Sequence, residues 1–100
     1  MSKLPRSGHA PDRLRQEFLE VVDLITSEVG KYTQERLRNR LIRLTGKLWN
    51  CTDIVPARHR KEIWSDFGGP LADREPTTYA QASRMIRENL AREQAWANWS

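Results

Sequence analysis

Two apolar stripes at helical spacing, joined by almost nothing, constrain this chain more than any other feature. Leu14, Phe18, Val21, Val22, Ile25 and Val29 fall at i, i+4, i+7, i+8, i+11 and i+15, which places them on one side of a helix with 3.6 residues per turn. Leu37, Leu41, Leu44 and Leu48 repeat the pattern at i, i+4, i+7 and i+11. Only "GKYT", Gly30 to Thr33, stands between the two runs. A link that short returns the chain as an antiparallel pair. The spacing predicts helices over about 11–29 and 33–49. Pro11 suits the first turn, Asp12 complements the positive end of the dipole, and Gly30 supplies a left-handed stop.

Two further helices follow. Pro56 opens one that runs to about Phe67, ends at the Gly68, Gly69 and Pro70 breaker, and docks through Ile63, Trp64 and Phe67. Asp53 is the candidate cap or neutraliser of its start, while valine before proline disfavours helix at Val55. After the loop "GPLADREPTT", Thr78 with Gln81 three residues on forms a capping-box pattern. The helix it opens, about 78–95, carries Tyr79, Ala82, Ile86 and Leu90 on its apolar face, widened by Met85 and Trp96. Trp99 has no clear side.

No alternating strand pattern, internal repeat or glycine-rich phosphate fingerprint interrupts this series. The fold class is all-α: a single small domain of four helices over 11–97, a free N-terminal tail over 1–10, and the C-terminal end at 98–100. One hundred residues, 38% of them hydrophobic, suffice for one core that removes about 65% of the unfolded chain's surface from water. Its expected members are Phe18, Val22, Ile25, Leu37, Leu41 and Leu44, closed by Trp64 and Ile86.

Several functions find no support in the residues. No run reaches the roughly 18 apolar residues of a membrane span, and the first 15 residues lack the apolar stretch of a secretory signal. A cytoplasmic location is expected. Cys51 is the only cysteine, so no intramolecular disulfide forms. Cys51, Asp53 and His59 invite a nucleophile, orienter and base reading, but no glycine-rich or oxyanion context surrounds the thiol. The simpler reading makes Cys51 a small buried hydrophobe and His59 a surface residue in a basic cluster. One cysteine with two histidines, His9 and His59, does not complete a structural zinc site. The chain is read as non-enzymatic, with no cofactor and no metal.

Charge is where function enters. Arg36, Arg40, Arg43 and Lys47 repeat one residue ahead of the leucines, and Glu35 is the sole acid between Thr33 and Trp49. A helix tuned only for solvation mixes signs at i and i+4. Arg58, Arg60 and Lys61 crowd the first half of the third helix, against its dipole. Residues 1–30 hold four basic and five acidic side chains, 31–61 nine and two, and 62–100 four and six. The positive balance therefore belongs to the middle of the chain, and local concentration is what attracts a polyanion.

Three readings compete. The seven cations could form one strip that binds nucleic acid without sequence preference, with Asn39 or Thr45 nearby for polar contact. They could meet an acidic protein, or a second copy of the chain, with an exposed tryptophan as anchor. They could be only the wet side of a helix. A helix-turn-helix is disfavoured by the long loop before the fourth helix. Membrane-surface binding is disfavoured because the core needs the leucines.

Overall fold

The computed structural model describes residues 10–27, 31–68 and 74–99, with side chains for all of these except 31–33 and 94–99. It is all-α: α1 (Asp12–Thr26), α2 (Lys31–Lys47), α3 (Ala57–Ile63), a π-helical turn (Trp64–Gly68) and α4 (Tyr79–Trp99). Among the described residues there is no strand, and no helix is long and apolar enough to cross a membrane.

α1 and α2 form the expected antiparallel hairpin. Glu17, nine residues before the last of α1, pairs with Arg40, nine after the first of α2, at 2.6 Å. Equal distances from the turn are the mark of strands of chain running in opposite directions. α2 then packs on α4, α4 on the π turn and α3, and α3 on α1. The helices thus make a ring in which α2 and α3 occupy opposite corners.

The core is the one the stripes define. Phe18, Val22, Ile25, Leu41, Leu44 and Ile86 are buried, joined by Val21, Leu48, Cys51, Val55, Ile63, Phe67, Tyr79, Ala82 and Leu90. Phe18 meets Tyr79 edge to face, with centroids 5.5 Å apart, a favoured aromatic geometry. Leu37 is only half-buried, near the exposed end of its stripe.

Thr78 and Gln81 cap α4 reciprocally. The Gln81 amide donates to Thr78 Oγ1 at 3.2 Å, and Gln81 Oε1 accepts from the Thr77 and Thr78 amides at 2.7 and 3.4 Å. The same corner is clamped by backbone: the Val55 amide donates to the Thr77 carbonyl, Tyr79 to Asp53, and Ala80 to Cys51, at 2.8–3.0 Å. Extended residues 51–55 before Pro56 are thereby stitched to the start of α4. Periodicity cannot reveal this tie, because it joins groups every residue carries.

Four expectations are corrected. Trp64 does not close the core; it is 37% exposed. The wide π turn beginning at Trp64 keeps Ile63 and Phe67 inward, and Val55 helps fill the interior instead. Asp53 does not cap α3, whose N-cap is Pro56 without a side-chain bond; its carboxylate faces Arg15 Nε at 3.5 Å. His59 is buried rather than superficial, 8% exposed. α4 continues to Trp99, four residues beyond the expected end. Ala10, the last residue of the expected tail, packs against the core and its carbonyl accepts from Arg15 Nε at 3.2 Å; the expectations for residues 1–9, for Val29, Gly30, Gly69 and Pro70, and for the side chains of Trp96 and Trp99 lie outside the described residues.

Leu41→Ala removes a fully buried side chain at the centre of the hairpin and is expected to cost about 2–5 kcal/mol by urea denaturation. A second expectation concerns alkaline pH. Burial pushes the Cys51 thiol and the Tyr79 phenol above their ordinary values, with the Asp53 backbone partly countering this at Cys51. A raised folded value contributes stability that is fully present below the unfolded value, about 8.5 for the thiol and 10 for the phenol. That stability is lost as pH climbs through the folded values. Urea midpoints should fall between pH 8 and pH 10.5, and Cys51→Ala should reduce that fall.

Candidate nucleic-acid interface

With the leucine stripe of α2 turned inward, Arg36, Arg40, Arg43 and Lys47 stand on its exposed side. Arg40 is not free: its Nε and Nη2 donate to Glu17 Oε2 at 2.9 and 2.6 Å. Arg38, on the opposite flank, faces Glu93 of α4 at 3.5 Å. Exposed pairs like these contribute about 0.2–1 kcal/mol to stability, yet each cancels a charge that a polyanion could use. Among the described residues, Arg36, Arg43 and Lys47 have no carboxylate within ion-pair distance.

The cations of α3 do not extend this row. Arg58 donates to both oxygens of Asp23 at 3.3 and 3.1 Å, Arg60 is half-buried, and Lys61 is exposed beside Trp64 on a separate cleft. Since α3 occupies the corner opposite α2, the seven cations do not make one continuous strip. The physical reason is α1, whose acids Glu17 and Asp23 point to different flanks and hold one arginine from each group.

What joins the α2 row instead comes from α4. Arg84 and Arg87, one turn apart, lie over the ring of Trp49 with their guanidinium carbons 5.1 and 5.6 Å from its centroid. Trp49 is 36% exposed. Arg87 Nε donates to Thr45 Oγ1 at 3.1 Å, and its Nη2 donates to the Ile42 carbonyl at 3.1 Å. Thr45 is fully buried and its hydroxyl donates to the same carbonyl at 2.6 Å. Thr45 is therefore a support for Arg87, not the surface contact its sequence position suggested. Asn39 remains exposed, beside Arg36, Arg40 and Arg43.

Gly46 makes this crossing feasible. A Cβ there would stand 3.1 Å from Arg87 Nη2, closer than the guanidinium tolerates without moving. The arginine crosses α2 at Ile42 and Gly46, one turn apart on one side of the helix; Arg43 and Lys47, each one position later, lie about 100° further round it. Two guanidinium groups thus lie over one indole, within cation–π distance, and one of them is pinned by hydrogen bonds. Among the described residues neither Arg84 nor Arg87 has a carboxylate partner. Both are easily overlooked in the sequence because the segment 62–100 as a whole is acidic on balance, six acidic side chains against four basic. The legible signal was their i, i+3 spacing, which puts them on one side of the helix.

The nucleophile reading does not assemble. Cys51 Sγ donates to Asp53 Oδ2 at 3.4 Å, while His59 turns to Asp23 and Arg58. The thiol's raised pKa keeps it protonated near neutrality, which is unfavourable for a nucleophile.

Gly46→Ala gives a local test of this geometry. Helix propensity gains about 1 kcal/mol, the displaced Arg87 bonds lose a similar amount, and net stability should move by less than about 1 kcal/mol. The Trp49 indole N–H resonance should shift slightly as the guanidinium gives by a few tenths of an ångström, and Arg87→Gln, which removes the cation altogether, should shift it much further; an unmoved resonance in Arg87→Gln would mean that Arg87 does not lie over the ring. Comparison of the chain with protein-family models, with curated proteins and with solved structures finds no match in any of the three.

Proposed function

We propose that this protein is a non-enzymatic nucleic-acid-binding domain that contacts the phosphate backbone through the α2–α4 face, with little preference for sequence. The observation that carries the reading is the cluster of Arg84 and Arg87 over Trp49, together with the exposed Arg43 and Lys47 further round the same helix, with no carboxylate against any of these four cations among the described residues. Guanidinium groups bind phosphate with two parallel N–H donors and are weakly hydrated, so they lose little on contact. The cations of this face suit phosphates and only Asn39 beside them offers an exposed amide, so affinity with little specificity is the expected behaviour.

The second reading, an adaptor or homodimer meeting an acidic partner, is favoured by the exposure of Trp64 on the opposite side of the ring. Tryptophan is enriched at interface centres. The two readings use different surfaces and are separable by substitution.

Fluorescence anisotropy with a labelled mixed-sequence duplex and single strand, across about 50–200 mM salt, provides the test. Affinity should fall linearly in log–log form, and Arg43→Gln with Lys47→Gln should lower the slope by about two phosphates' worth. Arg84→Gln with Arg87→Gln should weaken binding further, while Arg60→Gln with Lys61→Gln should leave it unchanged. No binding at the lowest salt, or equal loss from the α3 pair, would reject the α2–α4 face and move the partner-protein reading ahead.

A further inference from the structure

On the corner away from that face, three metal-ligating side chains converge from two helices. Asp23 comes from α1; His59 and Glu62, one turn apart, come from α3. One ligand atom from each lies within 4.8 Å of the others, and Asp23 Oδ1 is already 3.1 Å from His59 Nε2. The cation now among them is Arg58, whose Nη2 lies 3.0 Å from His59 Nε2 and 3.3 and 3.1 Å from the two oxygens of Asp23.

The hydrogen bonding of this cluster does not close. A neutral imidazole donates from one nitrogen and accepts at the other. If Nε2 carries the proton, it donates to Asp23 but sets an N–H against the donor of Arg58. If Nε2 is bare, it accepts from Arg58 but turns a lone pair toward the Asp23 oxygen, and the buried Nδ1–H has no partner. Glu62 Oε1 is likewise buried without a partner. His59 is more than nine-tenths buried, so water cannot easily relieve the mismatch. The cluster therefore leaves buried acceptors that the Arg58 guanidinium does not reach, and an unmet buried polar group is destabilising.

We infer that Asp23, His59 and Glu62 form a binding site for a divalent transition-metal ion of the zinc class, and that Arg58 is the resident cation the metal displaces. Bonds of about 2.0–2.2 Å from nitrogen and carboxylate oxygen to zinc set ligand atoms roughly 3–4 Å apart. The Asp23–His59 pair has that separation, and a small rotation of Glu62 completes the set. The metal takes a lone pair from Asp23, from His59 Nε2 and from Glu62, which removes the conflict at Nε2 and engages the unpartnered Glu62 carboxylate, and it balances two carboxylates with two positive charges; the proton on Nδ1 keeps the environment it has without the metal. Arg58, its side chain 66% exposed, swings into solvent. Entry is open, because Arg58 and Glu62 also line the surface cleft shared with Lys61 and Trp64. Counting only cysteines and histidines along the sequence hides the site, since two of its three ligands are carboxylates.

Calorimetric titration of the full chain with Zn2+, with Co2+ absorption as a second probe, tests the inference. The parent should bind one ion. Glu62→Gln and His59→Gln should weaken binding by more than the about 10-fold that loss of an outer-shell partner brings, whereas Cys51→Ala and His9→Gln should not. Arg58→Gln should tighten binding, because it removes the competitor; a merely structural arginine would not give that sign. Glu62→Gln is at a half-buried position and keeps the test valid should His59→Gln unfold. No Zn2+ uptake by the parent, unchanged affinity in Glu62→Gln, or weaker binding in Arg58→Gln would overturn the site.

Discussion

Burial of the leucine stripe of α2 against α1 and α4 is the constraint on which the rest of this surface depends. With Leu41, Leu44 and Leu48 inside, the residues one position earlier must point outward, and those one position later, Thr45 and Trp49, must turn toward α4. The same rotation that exposes Arg43 and Lys47 therefore presents Thr45 and Trp49 to Arg84 and Arg87. Each fully buried leucine contributes about 1.5–3 kcal/mol, more than the repulsion among neighbouring cations costs. The helix can carry a one-signed row because its core side outweighs the charge.

The ring order then divides the basic residues by context. α1 lies between the two cationic helices and supplies an acid to each, Glu17 to Arg40 and Asp23 to Arg58. What remains uncompensated on the α2–α4 side is accessible and stacked; what remains on the α3 side surrounds a buried histidine and a cleft. One net charge of +4 thus resolves into two surfaces of different composition, one rich in cations without carboxylate partners among the described residues and one that gathers two carboxylates around a histidine.

Much of the fold was legible from periodicity, and the reason is physical. Phe18, Val22, Ile25, Leu41 and Leu44 sit where a 3.6-residue repeat puts them, and Thr78 with Gln81 caps as short-range hydrogen bonding requires. Trp64 was misplaced because a π turn shifts the phase of the repeat just where Phe67 follows. The clamp between 51–55 and 77–80 uses backbone groups alone, which leave no trace in residue identity. The candidate interface was half legible. Arg43 and Lys47 stood out as a row, but Arg84, Arg87 and Gly46 acquire meaning only when α4 is laid across α2. His59 looked superficial beside Arg58 and Arg60 until Asp23 arrived from a helix 36 positions earlier.

The central claim is that the basic middle of this chain acts through the α2–α4 face. Amide- and indole-resolved NMR titration of the folded protein with a short single strand and a short duplex tests it most directly. Perturbations are expected to concentrate at Arg43, Gly46, Lys47, the Trp49 indole, Arg84 and Arg87, in fast exchange and equally for unrelated sequences. Perturbations centred on Arg58, Arg60 and Lys61, or none at low salt, would contradict it.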